Sequence, residues 1–242
     1  MAALQVVYGH CLTHYQLDMP MWLTSMIGFF HGVPIFFTLS GFLIWFSIGR
    51  SKTFSQYCQK RFWRIYPELW VAVLVEVAVL LMLYRHDINW SQFGAFVFGQ
   101  LTIFQFWTPD CLRDYGVGCP NGSLWTICVL IQYYFVSYFT YKVLHKKGAM
   151  RWLIAITISM AVGIVAGYIR NDSVGFKLFA NSFVPYYWMF LLGGMVAEYR
   201  EKILPLIIKY WYIPIILNIV IMITRADVHT LKYGIFSTIM VR

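Results

Sequence analysis

Charge is scarce in this chain: Asp, Glu, Lys and Arg make up 12% of its 242 residues, 60% are hydrophobic, and the mean hydropathy is +0.64. A soluble domain carries about 25% charged residues, so half that share excludes an ordinary water-soluble globule and leaves a polytopic membrane protein. Its helices must bury their apolar faces in lipid and against one another. Acidic residues are the scarcest charges, 10 against 19 Lys and Arg, for a net charge of +9. That excess does not call for nucleic acid, because the basic residues sit in short loops between apolar runs, as topology signals do. Cysteine is also sparse, at 5 residues, which excludes a disulfide framework. Cys11, Cys58 and Cys128 fall in or beside apolar runs as small packing residues. Cys111 and Cys119 share a polar loop and could pair in an oxidising compartment. No basic n-region precedes the first apolar residues, so no cleavable signal peptide is expected. Soluble-domain boundaries, low-complexity tracts and repeats are missing as well.

What is present is a series of apolar stretches near the length needed to cross roughly 30 Å of hydrocarbon. They lie at 28–49, 67–84, 123–144, 152–169, 178–197 and 206–224, with half-length stretches at 1–13 and 233–242. The expectation is an all-α transmembrane bundle with seven or eight spans, one membrane-embedded domain over 1–242, incomplete at both termini. The segment 93–107 is short and aromatic. If it does not cross, 13 of the 19 Lys and Arg residues share one side; if it does, the split is 10 against 9. The positive-inside rule therefore favours a re-entrant or interfacial segment at 93–107 and a cytoplasmic loop bearing Arg61 and Arg64. The small-xxx-small spacings Gly28–Gly32 and Gly163–Gly167 suit close helix packing.

Ionisable groups inside apolar runs are costly, so each is a candidate for function. His10, in Tyr8-Gly9-His10-Cys11, could act as a general base, with His14 one turn on and Asp18 able to orient a ring, although its position alone favours a packing histidine. Arg61 and Arg64, an i, i+3 pair beside Lys60, could hold phosphate through their forks, or be flanking charge. Pro67 suits the first turn of the next helix, which would then begin directly after the arginines. Ser40-Gly41 offers a hydroxyl and a close backbone approach, but no His or Asp lies nearby in sequence to activate the serine. Glu76, near the middle of a span, needs a histidine or arginine from another helix or a structural hydrogen bond. Glu68 reads as a local charge partner of Arg64. Asn121-Gly122-Ser123 fits a helix cap and Trp125 an interfacial position.

Taken in order, these pieces resemble acyltransferase family 3, the integral membrane O-acyltransferases of the O-antigen and exopolysaccharide O-acetylase type. Phe36-Phe37-Thr38-Leu39-Ser40-Gly41-Phe42-Leu43-Ile44 is similar to the family's FFxLSGFLI span. Arg61-Phe62-Trp63-Arg64-Ile65-Tyr66-Pro67 is similar to its R-x-x-R-I-x-P turn. Ser123-Leu124-Trp125-Thr126-Ile127, with Gln132-Tyr133-Tyr134, resembles its LWSLxVExQFYL span, and Leu191-Leu192-Gly193-Gly194 its later glycine-bearing helix. The resemblance implies transfer of an acyl group, most often acetyl, from acyl-CoA to a hydroxyl of a carbohydrate or lipid-linked saccharide at the inner or plasma membrane. It implies no bound cofactor and no metal. His10 matches the family's proposed catalytic histidine, and Arg61 and Arg64 match the arginines that handle the donor. Ser40, Gly41, Phe42, Trp125, Gln132 and Tyr134 would line the substrate path. Two positions depart from the pattern: the first-span arginine would fall before Met1, and Leu130 stands where a glutamate is usual. An inactive family-like fragment and a transporter subunit, with Glu76 lining an aqueous path, are the alternatives.

Overall fold

The computed structural model describes residues 2–15, 31–84, 88–115, 119–169, 171, 173–214 and 216. Among these the chain is helical, without a β-strand: α1 (Ala2–Tyr15), α2 (Gly32–Gly49), α3 (Phe54–Leu83), α4 (Trp90–Leu101), α5 (Trp125–Leu144), α6 (Ala149–Tyr168), α7 (Val174–Ala180), α8 (Tyr187–Glu198) and α9 (Arg200–Tyr210). Among the described residues four helices are long and apolar enough to cross a membrane: α2, α3, α5 with the 3₁₀ turn that leads into it (Gly122–Leu144), and α6. Their outward faces are apolar, with Leu74 on α3 and Ile158 on α6 more than half exposed, as lipid-facing side chains should be. The remaining stretches counted from hydropathy are short, broken or lie outside the described residues, as do 215 and 217–224 within 206–224, all of 233–242, and Gly28 and Asp18.

Two of the expected spans differ in ways that matter. The stretch read as 67–84 begins at Phe54 and runs 30 residues to Leu83, about 45 Å at 1.5 Å per residue. Arg61 and Arg64 therefore sit within a helix, not in a loop before one. Pro67 lies in the helix interior, not in its first turn. The start is set by a cap: Thr53 Oγ1 accepts from Gln56 N at 3.2 Å, while Gln56 Oε1 accepts from Lys52 N at 2.8 Å. Hydropathy missed these turns because they carry three basic residues, yet they pack on α5 through Phe54 and Tyr57. The stretch 178–197 is not one helix: the chain breaks at Asn181–Phe183 between α7 and a 3₁₀ turn, Val184–Tyr186. α4, which overlaps the stretch 93–107, has 12 residues, about 18 Å, which is too short to cross.

The chain divides into two units. One comprises residues 1–46, 141–180 and 184–242, the other 47–140 and 181–183. In the first, Trp45, Leu144, Trp152, Ile156, Leu191 and Ala197 form a core. α2 and α8 cross at glycines. A Cβ on Gly41 would lie 2.1 Å from the Phe190 carbonyl oxygen, and one on Gly193 would lie 1.9 Å from the Thr38 carbonyl oxygen. Gly194 next door faces the Trp152 ring, and Gly163 on α6 approaches the Pro185 carbonyl. In the second unit α3 is central. Trp70 Nε1 donates to the Leu101 carbonyl at 3.2 Å, setting α4 antiparallel to the second half of α3, with a core of Leu80, Ile88, Phe93, Phe96 and Leu112. The first half of α3 runs antiparallel to α5: Phe54 meets Tyr138, Tyr57 meets Tyr134 and Ser137.

Candidate functional site

The α3–α5 register puts the Arg61 side chain among polar and aromatic groups. Its Nη2 donates to Ser47 Oγ, and its guanidinium carbon sits 5.5 Å from the Tyr134 ring centroid and 5.9 Å from that of Tyr57. Both distances are within cation–π range. Tyr57 is fully buried, and its hydroxyl lies 3.0 Å from the Tyr134 carbonyl oxygen and 2.9 Å from Ser137 Oγ. Arg61 Nε is buried and makes no hydrogen bond, and no carboxylate pairs with Arg61 among the described residues. A guanidinium has five donors and no acceptor, so burying one without a carboxylate is costly unless another partner meets it. Arg64, one turn later, is exposed, and no ion pair joins it to Glu68 among the described residues. Lys60 Nζ reaches the Arg50 carbonyl and Ser51 Oγ, each at 3.4 Å, at the turn between α2 and α3.

Comparison with known proteins bears on what such a site serves. A family model for the acyltransferase domain of family 3 matches residues 1–238. The chain belongs to acyltransferase family 3. Among curated relatives, it is 26% identical over 219 residues to nodulation protein 10 of Rhizobium leguminosarum bv. viciae, covering 84% of this chain and 58% of the relative. It is 26% identical over 177 residues to an O-acetyl transferase of Shigella phage Sf6, covering 70% of this chain and 51% of that one. It is 23% identical over 200 residues to the peptidoglycan O-acetyltransferase OatA of Listeria monocytogenes serovar 1/2a, covering 72% and 32%. The chain thus spans 58% or less of the length of each. No solved structure matches it.

In this family 3 chain the other residues singled out from sequence are distributed over both units. His10 lies exposed on α1; the side chain of His14 is outside the described set. Ser40 is half-buried on α2, and Phe42 packs against the tryptophan-rich core. Gly41 has a packing reason of its own in the α8 crossing. In the second unit, Tyr134 joins Arg61, and Trp125 opens α5 half-buried. Gln132 braces the chain break: its Nε2 donates to the Asn181 carbonyl at 3.1 Å and its Oε1 accepts from Phe183 N at 3.2 Å. Non-helical backbone at membrane depth needs such partners. A cavity of about 450 Å³ lies beside it, lined by Ile103, Phe104, Cys128, Ile131, Phe135 and Phe183 among others. Leu130 is buried, 4% exposed.

Glu76 has both carboxylate oxygens buried without a hydrogen bond among the described residues. Neither the expected histidine nor an arginine meets it there. It does act on Cys119, whose thiol is pushed up by burial and further by the Glu76 charge. Cys111 and Cys119 are both free, so the loop carries no disulfide in this structure. Sequence reasoning did not single out Ser47, Tyr57 or Ser137. Tyr57 could have been found, since it stands four residues before Arg61 on the same helix face. Ser47 could not, because only the fold brings α2 to α3 at that point.

Proposed function

We propose that this domain transfers an acyl group, most often acetyl, from acyl-CoA to a hydroxyl of a carbohydrate or lipid-linked saccharide at the cell membrane. The observation that carries the reading is Arg61: a partly buried guanidinium, flanked by two aromatic rings, with no carboxylate paired to it among the described residues. Arginine forks bind phosphate bidentately, and acyl-CoA is a phosphate-rich donor. Two relatives whose names state O-acetyl transfer support the reaction class. The Arg61 end of α3 is assigned to the cytoplasm by the basic residues around it, where acyl-CoA is made.

In this mechanism His10 takes the proton of the acceptor hydroxyl as its oxygen attacks the thioester carbonyl. The carbon–sulfur bond breaks, and the departing CoA sulfur takes up a proton. General-base assistance of this kind contributes about 10²–10⁴-fold. Membranes carrying the full-length protein should consume labelled acetyl-CoA and yield an acetylated saccharide detectable by mass spectrometry. His10→Ala should lower that turnover at least about 100-fold, with the amount of membrane-inserted protein unchanged. Wild-type turnover in His10→Ala would remove His10 from the chemistry.

A further inference from the structure

Arg61 is held from several directions, and the hold is unequal. The Tyr57 ring beside it is held in place. Tyr57 is fully buried, and its hydroxyl, the Ser137 hydroxyl (Oγ 2.9 Å from the Tyr134 carbonyl) and that carbonyl form a closed triangle. Either hydroxyl can donate to the carbonyl while the other donates to it. The rings fix where the guanidinium lies but not how its fork is turned, because a cation–π contact has no in-plane preference. Ser47 Oγ accepts one of the fork's hydrogen bonds, from Nη2, and the Tyr134 hydroxyl is a second polar neighbour.

Ser47 is 8% exposed and lies near the end of the apolar helix α2. Its own carbonyl accepts from Ser51 Oγ at 2.8 Å, which pins the turn that leads into α3. A buried serine in such a helix ordinarily bonds back to the carbonyl four residues before it. Here the hydroxyl faces the arginine of another helix.

Resting on the donor-site reading of Arg61, we propose that Ser47 is a positioning residue. It turns the Arg61 fork so that its remaining N–H donors face the donor's phosphate oxygens. Ser47 touches neither the acyl group nor the acceptor and acts through Arg61 alone.

The test uses the full-length protein in membranes, with acetyl-CoA as the varied substrate and four variants: Ser47→Ala, Ser47→Thr, Arg61→Ala and the Ser47→Ala/Arg61→Ala double. Size-exclusion profiles in detergent report which variants fold. Losing one hydrogen bond to a charged group predicts a rise of about tenfold in the KM for acetyl-CoA in Ser47→Ala, with kcat within about twofold. Ser47→Thr keeps the hydroxyl and should return KM towards the wild-type value. In the Arg61→Ala background, Ser47→Ala should add nothing, since two residues acting through one contact are not additive. If Arg61→Ala raises the donor KM and Ser47→Ala does not, the positioning role is overturned and the donor site stands. Equal effects of Ser47→Ala with and without Arg61 would also overturn it. If Arg61→Ala leaves the donor KM unchanged, the donor-site reading fails and takes this inference with it.

Discussion

At Arg61 a cation is partly withdrawn from water with no carboxylate to meet it among the described residues; at Glu198 an anion is withdrawn and met by three partners. Glu198 Oε2 accepts from Trp45 Nε1 at 2.7 Å and lies 2.9 Å from His145 Nδ1, and its Oε1 accepts from the Lys146 N–H at 2.8 Å. His145 in turn stacks on Tyr141 at 4.4 Å between centroids. The contrast is between a buried charge completed inside the protein and one that the donor-site proposal completes with a ligand. Burial raises the Glu198 carboxyl, but the bonds from Lys146, Trp45 and His145 outweigh it and hold the group below its ordinary value. A depressed carboxyl stabilises the fold above its unfolded-state value and loses that contribution as pH falls through the folded one. Thermal stability in detergent should therefore be steady near neutrality and fall as pH drops below about 4–5, where an ordinary carboxyl protonates. Glu198→Gln should lower the neutral-pH midpoint and flatten that acid limb. An unchanged limb in Glu198→Gln would show that other carboxylates carry it.

At the scale of helices, packing is decided by contacts too close for any side chain. Gly41 and Gly193 let the α2 and α8 backbones touch, and Gly194 admits the Trp152 ring. In a membrane, where lipid is as apolar as leucine, such close approach is what makes helices associate. Gly193→Ala would drive a methyl group to within 1.9 Å of a carbonyl oxygen that belongs to a helix and cannot yield. Overpacking of this kind costs about 1–3 kcal/mol and more where backbone must move, so the variant should show little monodisperse protein in detergent. Gly175→Ala on α7 meets nothing within 4 Å and is the control. It should be neutral or stabilising by up to about 1 kcal/mol. Comparable behaviour of the two variants would rule out the crossing as the reason for the glycines. The motif Leu39-Ser40-Gly41 was visible as a motif, but its glycine could be paired with Gly193 only in three dimensions.

For the whole molecule, the open question of orientation has a direct measurement. The turn at 145–148 carries His145, Lys146, Lys147 and Gly148, while the loop before α5 holds Cys111 and Cys119 as free thiols. The positive-inside rule assigns the first to the cytoplasm and the second to the opposite side. A membrane-impermeant maleimide added to intact cells should label a protein whose only cysteine is Cys111. With one cysteine introduced at Lys147 in a cysteine-free background, it should label only after permeabilisation. The reverse pattern would put Arg61 on the outer side and remove cytoplasmic acyl-CoA as its ligand. Both answers leave the family unchanged, because membership rests on a match over residues 1–238 and not on orientation.

Composition alone excluded a soluble globule, since the cost of placing apolar side chains in water is a sum over residues and needs no partner. The same local sum located α2, α5 and α6 closely, and the motif spacings carried the family. Tertiary structure decided the rest. α3 starts at Phe54 because Thr53 caps it and α5 receives Phe54 and Tyr57, contacts across some eighty residues of chain that a hydropathy window cannot register. The apolar run at 178–197 breaks because Gln132, on another helix, bonds the freed backbone at Asn181 and Phe183. Arg61 and Arg64 look alike in sequence, three residues apart in one motif. The angle between them on α3 turns Arg61 towards Ser47 and Tyr134 and leaves Arg64 exposed, a distinction made by neighbours and not by residue type.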